Sequence, residues 1–195
     1  MRIDHCHHNQ FGLYISNYRK DNLEFLSEIV YHFLLRYKVV VLRGQQWTPD
    51  EYIDLCGRIG KIWTTDDDMA MEKKHQLGDY KEIVKISNTD GVLGKIELLW
   101  HADGSHHPTR DYPIRCLYGA KIPELTARTS FADMQMAYES LTEEQLKDYS
   151  LMEVLHRPRY LVGWEDQLKF KPLIRTHPIT NEKSISVDNY FTVQI

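Results

Sequence analysis

The sequence predicts an α+β fold whose core is a β-barrel or a β-sandwich. Two amphipathic helical patterns come first, several short strand patterns follow, and two further helical stretches interrupt those strands. Many short strands with a few inserted helices are typical of a closed or two-layered β core. The length of 195 residues suits one domain with a full core, so we expect a single domain over residues 1–195.

The first helix is predicted over residues 22–36, within "DNLEFLSEIVYHFLLRY". Asp21 or Asn22 is expected to cap its amino terminus, because both side chains accept hydrogen bonds from backbone N–H groups of a first turn. The apolar residues recur at helical spacing and define one buried face; they are Leu23, Leu26, Val30, Phe33 and Leu34.

A second, shorter helix is predicted within "TPDEYIDLCGRIG". Thr48 is its expected cap, Pro49 takes the first helical position, and Glu51 completes a capping box. Gly57 and Gly60 are expected to end it.

The remaining elements are predicted from alternation and from turn residues. "KVVVLRG", "EIVKISN", "PIRCLYGAKI" and "SISVDNYF" are expected to be strands that share one core. Two short helices are predicted in "QMAYESLTEEQLKDYSLM", with Thr142 and Gln145 as a capping box for the second. "KPLIRTHPITNEKSISVDNYF" predicts a strand, a turn and a second strand.

Composition restricts the classes of partner. A net charge of −4 gives no global positive field for nucleic acid, and no apolar run approaches the roughly 20 residues of a membrane span. The first ten residues lack the apolar stretch of a secretory signal. Cys6, Cys56 and Cys116 form no CxxC pair, which favours a reducing compartment, so we expect a cytoplasmic protein.

The first ten residues also contain a cluster of metal-binding side chains. His5, His7 and His8 lie beside Cys6, and a terminal metal clip is one interpretation. A flexible, solvated tail is the interpretation that we expect to hold.

The stretch "LLWHADGSHHP" places an imidazole and a carboxylate two positions apart, at His101 and Asp103. On a strand, positions i and i+2 project to the same face, where one nitrogen and one oxygen can bind a single metal ion. Taken alone, the tripeptide is more often a surface pair or a turn cap than a pair of ligands.

These segments, in this order, resemble the taurine dioxygenase family of iron(II)- and 2-oxoglutarate-dependent oxygenases. The resemblance lies in "WHADGS", "TSFADMQMAY" and "RTHPITNEKS" and covers nearly the whole chain. It implies a double-stranded β-helix, or jelly roll, with flanking helices. It also implies an enzyme that uses iron(II), 2-oxoglutarate and molecular oxygen to hydroxylate a small polar or anionic substrate, with release of succinate and carbon dioxide.

The resemblance assigns roles residue by residue. His101 and Asp103 match the first two iron ligands, and Thr129 matches the position whose hydroxyl contacts the cosubstrate, although Ala127-Arg128 stands where the family usually has Gly-Asp. Glu97 matches a substrate-contact position that is Asn in the taurine enzymes, so taurine is disfavoured, and a contact with a substrate amine is one interpretation. An exposed position on a strand is the alternative for Glu97. His75 is expected to line the substrate entrance.

Five other histidines are not assigned as metal ligands. We expect a turn to aim His106 and His107 at substrate or solvent, and His177 to lie at the periphery of the site. His32 and His156 are expected on helices or in loops for structural reasons.

The family's third iron ligand and its cosubstrate-binding arginine lie in a segment that this sequence does not contain. We therefore expect a fragment that lacks the last barrel strands, or a naturally shortened variant, with a partner chain such as a second copy covering the exposed barrel. A catalytically inactive jelly-roll binding protein is the main alternative function. A cupin-type hydrolase or isomerase is disfavoured by "WHADGS" together with "FADM".

Overall fold

A computed structural model describes residues 1–6, 11–64, 75–87, 89, 98–107, 114–122, 129–157 and 168–195. The chain forms two compact units, Met1–Ile96 and Glu97–Ile195. No helix in the described part of the chain is long and apolar enough to cross a membrane.

The first unit contains a three-stranded sheet. Its strands, in the order β1-β2-β3, are β1 (Arg2–His5), β2 (Leu13–Ser16) and β3 (Val40–Leu42). β1 runs antiparallel to β2, and β3 runs parallel to it. The expectation of a flexible amino-terminal tail is therefore wrong for residues 2–5, because their backbone is paired with β2. His7 and His8 lie outside the described residues.

Helix α1 (Leu23–Tyr37) connects β2 to β3. The Asn22 side chain accepts a hydrogen bond from the backbone N–H of Phe25 at 2.9 Å, as the sequence predicts. Leu26 and Val30 are buried one turn apart on the same face. They pack with residues of the sheet and of the second helix into the core of this unit, which contains Leu13, Ile15, Leu26, Val30, Tyr37 and Leu55.

Helix α2 (Pro49–Ile59) has the predicted capping box. The Thr48 N–H donates to Glu51 Oε2 at 2.9 Å, and the Glu51 N–H donates to Thr48 Oγ1 at 3.2 Å. The prediction that Gly57 helps to end the helix is wrong, since the helix continues to Ile59 and Gly60 is the cap. A two-stranded hairpin, β4 (Gln76–Leu77) with β5 (Tyr80–Val84), completes the unit.

In its described residues, the second unit combines two short helices with two small sheets. Its elements are α3 (Met134–Glu139), α4 (Glu143–Tyr149), β6 (Glu153–His156), β7 (Phe170–Pro172), β8 (Ile174–Thr176), β9 (Lys183–Ile185) and β10 (Thr192–Gln194). β6 lies between β10 and β7, and β8 pairs with β9 as the predicted hairpin. Both capping residues predicted for α4, Thr142 and Gln145, are confirmed.

One strand prediction does not hold, because residues 114–122 of "PIRCLYGAKI" form no strand. The other three runs are strands, each in a different sheet. β3 pairs with β2, β5 with β4, and β9 with β8. Alternation predicts that a run is extended, but it does not determine which run becomes its partner.

Candidate metal centre

Residues 98–107 contain the His-Ala-Asp motif and form a loop with two consecutive turns. The Ser105 N–H donates to the Ala102 carbonyl at 3.1 Å, and the His107 N–H donates to the Gly104 carbonyl at 2.9 Å. Gly104 has a φ of 73°, which glycine adopts without the steric cost of a Cβ atom. The strand geometry considered for the motif is therefore wrong, because the chain reverses direction directly after it.

His101 and Asp103 nevertheless converge. The His101 Nε2 atom lies 3.3 Å from Asp103 Oδ1. The other ring nitrogen, Nδ1, lies 2.8 Å from the carbonyl oxygen of Leu99. Because a carbonyl oxygen only accepts, Nδ1 carries the proton and donates it, and the neutral imidazole keeps its lone pair on Nε2. The tautomer required of a metal ligand is thus set by the loop itself.

The donor set fits two positions of a divalent metal site. An imidazole nitrogen and a carboxylate oxygen suit Fe(II) and related ions. The side chains of His101 and Asp103 are 24% and 43% exposed, so the pair is accessible to an ion from solvent. Within the described ranges, no group of three His, Cys, Asp or Glu side chains surrounds one such position. The described residues therefore offer two donor atoms for such an ion, one from His101 and one from Asp103.

Arg115 engages the second oxygen of the same carboxylate. Its Nε atom lies 3.0 Å from Asp103 Oδ2, whereas Oδ1 faces His101. Because the Arg115 guanidinium pairs with Oδ2, the other oxygen of Asp103, Oδ1, points toward the His101 imidazole. The sequence does not indicate this contact, because an ion pair between a turn and a segment outside any helix or strand has no periodic signal.

The segment 188–192 forms a wall behind the motif. The ring centroids of Tyr190 and Phe191 lie 5.7 and 5.9 Å from that of His101. Both aromatic side chains are buried. This segment was predicted only as the end of a strand, and no local pattern indicates that it contacts a motif more than 80 positions earlier.

The neighbouring histidines are packed into the second unit. His107 is buried, which contradicts the solvent alternative of its prediction and leaves the substrate alternative as a prediction. The His106 ring lies 4.5 Å from that of Phe191. His177 has a structural role in the β8–β9 turn, where its Nδ1 accepts from two backbone N–H groups at 3.1 and 3.3 Å.

His156 is the most deeply buried of the described histidines in this unit, with 3% of its surface exposed. It lies on β6, not on a helix or in a loop as expected. Its Nδ1 is 3.2 Å from Thr192 Oγ1 and 3.8 Å from Asp188 Oδ2. Burial lowers the pKa of His156 below its ordinary value, and the nearby Asp188 carboxylate opposes that shift.

The other predicted site residues are less constrained by the structure. Thr129 is exposed and lies five positions before the start of α3. His75 is half-buried in the first unit, where its carbonyl accepts from the Lys85 N–H at 2.8 Å. Glu97 lies outside the described residues.

Residues 16–195 match the model of the family described as taurine catabolism dioxygenase TauD, TfdA family. The chain belongs to this family. The predicted family is therefore confirmed.

Two curated relatives are dioxygenases named for aryloxyalkanoates. The chain is 22% identical over 182 residues to "(S)-phenoxypropionate/alpha-ketoglutarate-dioxygenase" of Sphingobium herbicidovorans, with 80% of this chain and 59% of that protein covered. It is 25% identical over 174 residues to "Alpha-ketoglutarate-dependent 2,4-dichlorophenoxyacetate dioxygenase" of Burkholderia sp. (strain RASC), with 76% and 57% covered. The chain thus spans somewhat more than half the length of these relatives.

A solved structure of AAD-2 in complex with Mn(II) and N-oxalylglycine resembles the whole chain, with a TM-score of 0.62 and 18% identity. It is matched over 100% of this chain and 73% of its own length. This likeness confirms the predicted α+β jelly-roll fold.

Proposed function

We propose that the protein is an Fe(II)- and 2-oxoglutarate-dependent dioxygenase. It hydroxylates a small polar or anionic substrate with molecular oxygen and releases succinate and carbon dioxide. The observation that carries the proposal is the convergence of His101 Nε2 and Asp103 Oδ1 at 3.3 Å, with Nδ1 at 2.8 Å from the Leu99 carbonyl oxygen. Membership of the family and the names of the two curated relatives support the choice of cosubstrate.

In this proposal, the residues of the chain bind and orient. His101 and Asp103 hold the metal through Nε2 and Oδ1, and the hydrogen bond to the Leu99 carbonyl keeps the imidazole in the binding tautomer. When bound, iron and 2-oxoglutarate supply the oxidising chemistry. Tyr190 and Phe191 pack beside the imidazole and exclude water from that side of it.

Thr129 is proposed to donate its hydroxyl hydrogen to the cosubstrate, by its match to the family position. Glu97 and His75 are proposed to contact substrate. A carboxylate at position 97 repels a sulfonate, which disfavours taurine and favours a substrate that carries an amine near this residue. Both curated relatives are named for compounds with a carboxylate, so aryloxyalkanoates are tested beside substrates that carry an amine.

Mn(II) binding tests the metal pair directly. The six-line electron paramagnetic resonance signal of unbound Mn(II) is titrated with the wild-type chain, His101→Ala and His177→Ala. We expect wild type and His177→Ala to bind alike, because His177 only caps a turn. His101→Ala should lose binding because it removes one of two described ligands. Equal binding by His101→Ala and wild type would refute the assignment.

Succinate formation then tests the reaction. The protein is supplied with Fe(II), 2-oxoglutarate, oxygen and a panel of aryloxyalkanoates, sulfonates and amino acids. Succinate release that depends on one substrate class and disappears in His101→Ala would support the proposal. Binding of metal and 2-oxoglutarate with no turnover on any class would favour the inactive binding protein instead.

A further inference from the structure

Asp188 is a buried carboxylate at the back of the candidate metal centre. It follows β9 in the chain, and its side chain is 5% exposed. A carboxylate removed from water in this way requires hydrogen-bond donors for its oxygens. The donors that it has come from two separate parts of the chain.

The two carboxylate oxygens make different connections. Oδ1 accepts from the backbone N–H groups of Tyr190 and Phe191, which closes the turn that contains Asp188 itself. Oδ2 lies 3.2 Å from the Ser105 hydroxyl and 3.4 Å from the Ala102 N–H, both of which donate to it. One side chain therefore joins its own turn to a loop 83 and 86 positions earlier.

The position of Ala102 gives this link its importance. Ala102 lies between the two predicted ligands, so a restraint on its peptide N–H restrains the backbone that carries both side chains. Ser105 restrains the following turn in the same way. A backbone hydrogen bond from the Asn189 N–H to the Trp100 carbonyl, at 3.1 Å, joins the Asp188 turn to the motif loop on the other side of His101.

We propose that Asp188 is a positioning residue for the His101–Asp103 pair. In this role, Asp188 acts through its hydrogen bonds to Ala102 and Ser105 and not through the ligand side chains. These bonds fix the loop and thereby set the separation of His101 Nε2 and Asp103 Oδ1. The proposal rests on the proposed function for its premise that this pair binds a metal ion. Residues that orient metal ligands from outside the coordination sphere typically contribute about 10–100-fold to metal affinity.

Mn(II) affinity of the full chain, measured by electron paramagnetic resonance without cosubstrate, tests the proposal. The variants are Asp188→Ala, Asp188→Asn and Ser105→Ala, with urea unfolding of each in parallel. Asp133→Ala is the matched control, because Asp133 also accepts from two backbone N–H groups, at 3.0 and 3.2 Å, but caps α3 instead of the motif.

We expect Asp188→Ala to weaken Mn(II) binding about 10–100-fold. Asp188→Asn should recover part of this loss, because its amide oxygen still accepts from the N–H groups of its own turn. Ser105→Ala removes a single donor, so it should weaken binding less while it keeps the rest of the network intact. Ser105→Ala also keeps the proposal testable if Asp188→Ala does not fold. Asp133→Ala should reduce stability and leave Mn(II) affinity unchanged.

The two proposals fail in different ways. If His101→Ala binds Mn(II) as wild type does, the metal assignment itself is wrong. If His101→Ala loses binding while folded Asp188→Asn and Ser105→Ala keep wild-type affinity, the metal assignment stands and the positioning role of Asp188 is overturned. A loss of Mn(II) affinity in Asp133→Ala as large as that in Asp188→Ala would also overturn it, since general destabilisation would then explain both.

Discussion

Acidification should destabilise the protein through His156. Burial lowers the pKa of this imidazole in the folded state, while the unfolded chain has the ordinary value of about 6.5. Between the two values, the unfolded state therefore binds more protons than the folded state. The contribution of the neutral His156 to the free energy of unfolding is fully present above the unfolded-state pKa. It is lost as the pH falls from about 6.5 toward the lower pKa of the folded state.

The expected magnitude follows from one proton. A difference of one bound proton changes the free energy of unfolding by at most about 1.4 kcal/mol per pH unit. Asp188, at 3.8 Å from Nδ1, reduces the effect because it favours the imidazolium, whereas the positive charges of Lys171 and Arg175 increase it. A hydrogen bond between the His156 ring and the Ser186 backbone also favours the imidazolium, so it reduces the effect further.

Urea unfolding between pH 5.0 and 7.5 measures the effect. His156→Gln removes the titrating group, and His32→Gln is the control because His32 lies on the exposed side of α1. We compare the slopes of unfolding free energy against pH, because a buried glutamine also shifts absolute stability. His156→Gln should lose the part of the slope between pH 6.5 and 5.5 that His32→Gln retains. Equal slopes in wild type and His156→Gln would refute the reasoning.

Three further predictions concern the cosubstrate, the core and the ion pair. Thr129→Ala should raise the 2-oxoglutarate concentration for half-maximal succinate formation by about 2- to 12-fold, because a neutral hydrogen bond contributes roughly 0.5–1.5 kcal/mol; an unchanged requirement would remove Thr129 from the site. Leu26→Ala should lower the free energy of unfolding by about 2–5 kcal/mol, because Leu26 is fully buried. The adjacent Phe25→Ala should lower it far less, because Phe25 is 49% exposed. Similar losses of the two variants in urea unfolding would contradict the assigned buried face of α1. Arg115→Gln should change stability by less than about 1 kcal/mol, since both partners of its ion pair are more than 40% exposed; a larger loss in the same assay would show that the pair is a major support of the fold.

Local signals in the sequence determined the helices well. Thr48, Pro49 and Glu51 lie within four positions, and their capping box forms as predicted because both hydrogen bonds join near neighbours. Asn22 caps α1 for the same reason. The order of motifs also identified the family, since it depends on residue types along the chain and not on their contacts.

Strand pairing was decided by tertiary structure. β3, β5 and β9 were each predicted from their residues, yet each pairs with a different neighbour, because alternation specifies a face and leaves the partner open. The run at 114–122 has the composition of a strand but forms none, because no described strand supplies the hydrogen bonds of a ladder to it.

The candidate site shows the same division. The sequence by itself pointed to His101 and Asp103, because the resemblance to the family assigns its first two iron ligands to these positions. Only the tertiary structure showed that a turn at Gly104, and not a strand, brings Nε2 and Oδ1 to 3.3 Å. It alone placed Asp188 behind Ala102, because a hydrogen bond across 86 positions exists only after the chain has folded.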